Sequence, residues 1–212
     1  MRDIHCFSCS AVIEKFETNE YRDKCGVFES FFGHVQKCWD RFHSDRKSYL
    51  SPYIALFQNP GYGKSTLLRE IANQTNVYVL YLSFAESDTA IPPRSPSVDD
   101  LLTIVKSCKN EIEAKNVFYN FLMTSLKFLE DDPKFSQMNP KQLFKLQNRN
   151  AFWKEVCEHL STVGTSKVFE KRVIFAFDEA RSCSLVHNNF VEGVSYFRII
   201  RRALAELFPI SK

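Results

Sequence analysis

No stretch of this chain is apolar for the roughly 20 consecutive residues that a bilayer-spanning helix needs. The N-terminus, Met1-Arg2-Asp3-Ile4-His5-Cys6, lacks the continuous apolar core of a signal peptide. The expected compartment is therefore intracellular, cytoplasm or nucleus, with no membrane partner. Nor is one sign of charge in excess. The 28 basic and 25 acidic residues leave a formal charge of +3, too small a field to indicate nucleic acid. A second close pair of cysteines is missing as well. The seven cysteines are scattered at Cys6, Cys9, Cys25, Cys38, Cys108, Cys157 and Cys183, and only the first two are near each other. Zinc sites are normally built from two tight ligand pairs, which Cys25, His34 and Cys38 do not supply, so free thiols are expected.

What is present is a chain of 212 residues, 44% hydrophobic and 14% aromatic, enough for one α/β domain with a sizeable core or for a domain with a helical appendage. It is organised around the stretch from Tyr53 to Arg69. The apolar run Tyr53-Ile54-Ala55-Leu56-Phe57 reads as a buried strand, and Gln58-Asn59-Pro60-Gly61-Tyr62-Gly63-Lys64-Ser65-Thr66 reads as the turn that follows it. Leu67-Leu68-Arg69-Glu70-Ile71 then continues as a helix. Strand, glycine-bearing turn, and helix with a lysine and a hydroxyl in its first turn are the layout of a phosphate-binding loop.

Each residue type has its reason. Backbone N–H groups at a helix N-terminus are unpaired donors backed by the positive end of the helix dipole, and they suit a polyphosphate. Gly61 and Gly63 permit backbone conformations closed to other residues. Lys64 is the expected cation for the β- and γ-phosphates, Ser65 the expected hydroxyl ligand of a magnesium ion, and Thr66 the residue facing the α-phosphate or capping the turn. Asn59, Pro60 and Tyr62 complete the candidate nucleotide-binding loop. Gln58 stands where the pattern G-x-x-x-x-G-K-[ST] has glycine.

Upstream, Phe28, Phe31, Phe32, Val35, Trp39 and Phe42 recur at three and four, an apolar helical face. Downstream, Val77 to Phe84 is a β-branched and aromatic run, apolar on both faces as a buried parallel strand should be. The segment Ala85 to Pro96, with Pro92-Pro93, reads as a loop. Ser97-Val98-Asp99-Asp100 resembles a capping box at the head of a helical region that runs through Leu129 and ends at Asp131-Asp132-Pro133. Asn139-Pro140 opens another helix carrying Leu143, Phe144, Leu146, Phe152, Trp153, Val156 and Leu160. This helical insertion, about 97–165, holds no internal repeat or low-complexity tract and is the candidate surface for self-association or a protein partner.

The second informative stretch is Val173-Ile174-Phe175-Ala176-Phe177-Asp178-Glu179, an apolar run ending in two acids. At the carboxyl end of a parallel strand they fall on the rim where such sheets hold ligands. Asp178 is the expected metal ligand. Glu179 is the expected group that orients or deprotonates the attacking water, with Lys64 the other catalytic candidate.

Together, Gly61-Tyr62-Gly63-Lys64-Ser65-Thr66 and Val173 to Glu179 resemble the Walker A and Walker B motifs of P-loop NTPases, and the Asp-Glu pair resembles the ASCE division, which includes AAA+ and STAND-type ATPases. Phe177-Asp178-Glu179-Ala180-Arg181 and Phe197 to Leu204 are similar to NTPase domains of fungal and oomycete Crinkler-type proteins. The resemblance implies an α/β, three-layer P-loop domain over 47–212 with a parallel sheet. A helical segment over 1–46 precedes it, and the helical insertion lies between the second strand and the Walker B strand. It implies ATP and Mg2+ as cofactors and an ATPase coupled to a conformational or assembly switch. The family's sensor strand after Walker B has no counterpart here, so the sheet is expected to be incomplete at the C-terminus. Arg198, Arg201 or Arg202, and Arg181, are candidates for an arginine at the γ-phosphate, against the alternative of an ion-paired helix. A small-molecule kinase and a non-catalytic nucleotide-binding interaction module are the other functions that fit. No Asn-Lys-x-Asp base reader for GTP is present, which favours ATP.

Overall fold

The computed structural model describes residues 18, 23, 25–45, 54, 63–85, 94–148, 151–159, 171–178 and 195–207. In chain order they form α1 (Val27–Ser44), α2 (Lys64–Gln74), β1 (Tyr78–Ser83), α3 (Pro96–Ser107) and α4 (Glu111–Asp131). There follow α5 (Pro133–Ser136), α6 (Pro140–Asn148), α7 (Ala151–Glu158), β2 (Val173–Asp178) and α8 (Tyr196–Leu207). This is a mostly helical α/β structure. None of these helices is long and apolar enough to cross a membrane.

β1 and β2 pair in parallel, from Tyr78 opposite Val173 to Ser83 opposite Asp178. Parallel neighbours require a long crossover, and α3 to α7 lie within it. Alternation along the strands sends side chains to two separate cores. Leu80, Leu82 and Phe84, with Val173, Phe175 and Phe177, face a cluster that includes Leu101 of α3, Phe118 and Leu122 of α4, and Ile199, Ile200 and Ala203 of α8. Val79, Tyr81, Ile174 and Ala176 face the other, with Phe28 of α1, Leu67, Ile71 and Ala72 of α2, and Phe144 of α6. Helices thus cover both faces of the strand pair.

The outer edge of β1 has no strand beside it among the described residues, yet its polar groups from the Val79 carbonyl to the Ser83 carbonyl are paired. The Gln147 side chain from α6 accepts from the Tyr81 N–H (2.6 Å) and donates to the Val79 carbonyl (2.9 Å). Trp153 Nε1 of α7 donates to the Tyr81 carbonyl at 3.0 Å. Ser95 closes the last step, its N–H donating to the Ser83 carbonyl and its hydroxyl accepting from the Ser83 N–H. A primary amide offers the donor and acceptor of a peptide group, so Gln147 substitutes for a neighbouring strand.

Several expectations need correction. Pro96 is the first residue of α3 rather than the end of a loop, and Ser95, not Ser97, is its N-cap. Proline suits the first helical position because its missing N–H would be unpaired there anyway. The helical region after α3 is not continuous. Asn110 caps a new helix by accepting from the Glu113 N–H (2.9 Å), while Glu113 accepts from the Lys109 N–H (2.8 Å). The helix expected from Pro140 onward is divided into α6 and α7. Its start is as expected, with Asn139 and Gln142 exchanging side-chain to N–H bonds in a capping box. Of the run Tyr53–Phe57, only Ile54 is described. It is assigned to no strand and is 38% exposed, and the rest of the expected strand lies outside the described residues.

Candidate functional site

The first piece of the site is the start of α2. Gly63 is its N-cap, held at φ 83° in the left-handed region. A Cβ there would meet no atom within 4 Å, so the backbone conformation alone selects glycine. Lys64, Ser65 and Thr66 form the first turn, all partly buried, and the next turn buries Leu67, Arg69, Glu70 and Ile71. Leu67 and Ile71 anchor the helix on the core cluster beneath the strands. Arg69 and Glu70, themselves buried, pair at 2.7 Å, and Gln74 adds a bond to Glu70 at 3.0 Å.

The second piece is the carboxyl end of β2. Asp178, 8% exposed, lies opposite Ser83 in the register and shares its strand face with Ile174 and Ala176, the face that α2 covers. Ser65 Oγ donates to Asp178 Oδ2 although the two residues are 113 apart in sequence. Tyr81, two residues before the end of β1 and on the same face, donates its hydroxyl to the same oxygen at 2.5 Å. A hydroxyl from a helix start, a phenol and a carboxylate therefore converge at the strand tips, beside a left-handed glycine and a lysine.

Of the expected site residues, the structure brings together Ser65 and Asp178, with Gly63, Lys64 and Thr66 in or next to the same turn. Asn59, Pro60, Gly61, Tyr62 and Glu179 lie outside the described residues, as does Arg181. Ser65 and Asp178 present hard oxygen donors, the chemistry that Mg2+ requires, so the residues present fit that ion. Tyr81 was not singled out from sequence. Its signal was the alternation of β1, which puts it on the face of Val79, but its partner emerges only once β1 and β2 are paired.

The arginines of α8 lie elsewhere. Arg202 Nη1 donates to Glu111 Oε1 of α4, and Lys115 pairs with Glu206, so α8 is clamped to α4 by ion pairs. α8 packs on the sheet face opposite Asp178. Arg201 sits 5.9 Å from the Phe197 ring on its own helix. Among the described residues no group of three or more His, Cys, Asp or Glu side chains could hold a metal. Cys38 contacts His34 at 3.4 Å, one helical turn away, and Cys6 and Cys9 lie outside the described residues.

A family model described as a domain of unknown function (DUF8735) matches residues 23–171. The chain belongs to the DUF8735 family. The family match takes in α1, the turn at Gly63, β1 and the helices up to α7, and it ends two residues before β2. No curated protein and no solved structure matches the chain.

Proposed function

We propose that this chain binds a magnesium-complexed nucleoside triphosphate, ATP, at the N-terminus of α2 and the tip of β2, as a P-loop NTPase of three-layer α/β architecture. One observation carries the reading, the hydrogen bond from Ser65 to Asp178. Two stretches singled out separately in the sequence, one for a phosphate loop and one for a metal-binding acid, meet side chain to side chain.

The roles follow from the chemistry. The N–H groups of the first turn of α2, with Gly63 turning the chain into it, are donors for phosphate oxygens, and Lys64 adds a point charge. Ser65 and Asp178 would hold the metal, which when bound neutralises charge on the β- and γ-phosphates. Glu179, next in sequence, is assigned the orientation of the attacking water. Hydrolysis driving a change of conformation or assembly is the corresponding activity.

Titration with a fluorescent ATP analogue, with and without Mg2+, tests the binding. Lys64→Ala is expected to abolish it, and Glu179→Gln to retain binding while stopping phosphate release. Unchanged affinity in the Lys64 variant would refute the site.

A further inference from the structure

Resting on that reading, we propose that Tyr81 is a positioning residue for Asp178, fixing the carboxylate in the orientation that takes the metal of the bound nucleotide. Two hydroxyls reach Asp178 at Oδ2, Ser65 from α2 and Tyr81 from β1, and two donors on one oxygen restrict the torsion of the carboxylate. The Tyr81 bond, at 2.5 Å, has the length of a hydroxyl donating to a carboxylate, the strong class of neutral-donor bonds. A phenol is a rigid arm with two torsions, and this one is held along its whole length. Gln147 of α6 takes its N–H at 2.6 Å and Trp153 of α7 donates to its carbonyl at 3.0 Å. Phe144 of α6 packs on its ring with centroids 5.6 Å apart. Tyr81 is 3% exposed, so the hydroxyl cannot trade Asp178 for bulk water without moving that assembly. Ser65 would itself be a metal ligand, whereas the Tyr81 hydroxyl aims the acid from the neighbouring strand. Groups that orient a ligating carboxylate through hydrogen bonds matter to metal affinity by about 10- to 100-fold.

The experiment compares wild type with Tyr81→Phe, which keeps the ring and the backbone bonds and removes only the hydroxyl. Binding of the fluorescent ATP analogue is measured without metal and then as a function of Mg2+. The expected result is unchanged metal-free affinity with a Mg2+ midpoint raised about tenfold. A purely structural tyrosine would weaken both alike or neither, and an unmoved midpoint overturns the proposal. Absence of analogue binding by the wild type at any Mg2+ concentration would instead overturn the nucleotide reading and this inference with it. If Tyr81→Phe does not fold, the tyrosine doublet in ultraviolet Raman spectra decides, with eight tyrosines in the chain. Asp178→Asn is expected to change it through the Tyr81 phenol, and identical spectra overturn the proposal.

Discussion

Replacing Gln147 by leucine tests how the edge of β1 is held. Leucine approximates the buried volume, so the change removes hydrogen bonds without opening a large cavity. Gln147, Tyr81 and Val79 are 3%, 3% and 1% exposed, so water does not replace the lost amide. The Tyr81 N–H and the Val79 carbonyl are both left without the partner described above. Each stranded buried group costs about 1–3 kcal/mol, giving about 2–6 kcal/mol in total. That is a large share of the roughly 5–15 kcal/mol that holds a domain together. For a chain of this size the melting temperature should fall by roughly 5–20 °C. Urea unfolding followed by circular dichroism measures the loss, with Gln142→Leu as the control. Gln142 also accepts a backbone N–H, that of Asn139 at 3.0 Å, but it does so on an exposed turn. There water takes over and the cost should stay below about 1 kcal/mol. Equal effects of the two substitutions, or a loss under about 1 kcal/mol at Gln147 with an unchanged denaturant slope, would refute the reasoning.

Two further outcomes are expected. Arg202→Ala should cost less than about 1 kcal/mol in urea unfolding, because its pair with Glu111 is solvent-exposed, and should leave affinity for the ATP analogue unchanged, because α8 lies on the sheet face away from Ser65 and Asp178; a lost affinity would place Arg202 in the site. Burial, with the Asp100 and Glu158 charges adding to it, pushes the Cys157 thiol from its ordinary 9.0 up to about 12. This thiol's share of stability is intact below pH 9 and is withdrawn as pH climbs towards 12, because over that interval only the unfolded chain gives up the proton. At pH 8, alkylation mapped by mass spectrometry should find Cys157 slower than the exposed Cys25, and equal rates would contradict this.

Much of the secondary structure was legible because it rests on local signals. The run Val77–Phe84 gave β1 to within a residue at each end, and Val173–Glu179 gave β2, since β-branched and aromatic residues without helical period leave little alternative. Asn139-Pro140 marked the start of α6. Boundaries failed where two cap signals competed. Ser95 and Ser97 both precede an apolar run, and the proline between them decides the start of α3. The break before Glu111 was carried by Asn110 and Glu113, polar residues easily absorbed into an amphipathic pattern. In the candidate site, Ser65 and Asp178 were legible because each belongs to a contiguous stretch with a chemical rationale. Tyr81 and Gln147 were not, because their partners lie 97 and 66 residues away and no local pattern encodes a bond across the fold.

The closed margin of β1 also dictates how this sheet is allowed to widen. From the Val79 carbonyl through Tyr81 to Ser83 the outward-pointing peptide groups already have partners, so an incoming strand, whether from another copy or from a misfolded neighbour, finds little template on that side. A strand joining on that flank would first have to displace Gln147, Trp153 and Ser95, which protects the helix-backed side from edge-to-edge aggregation.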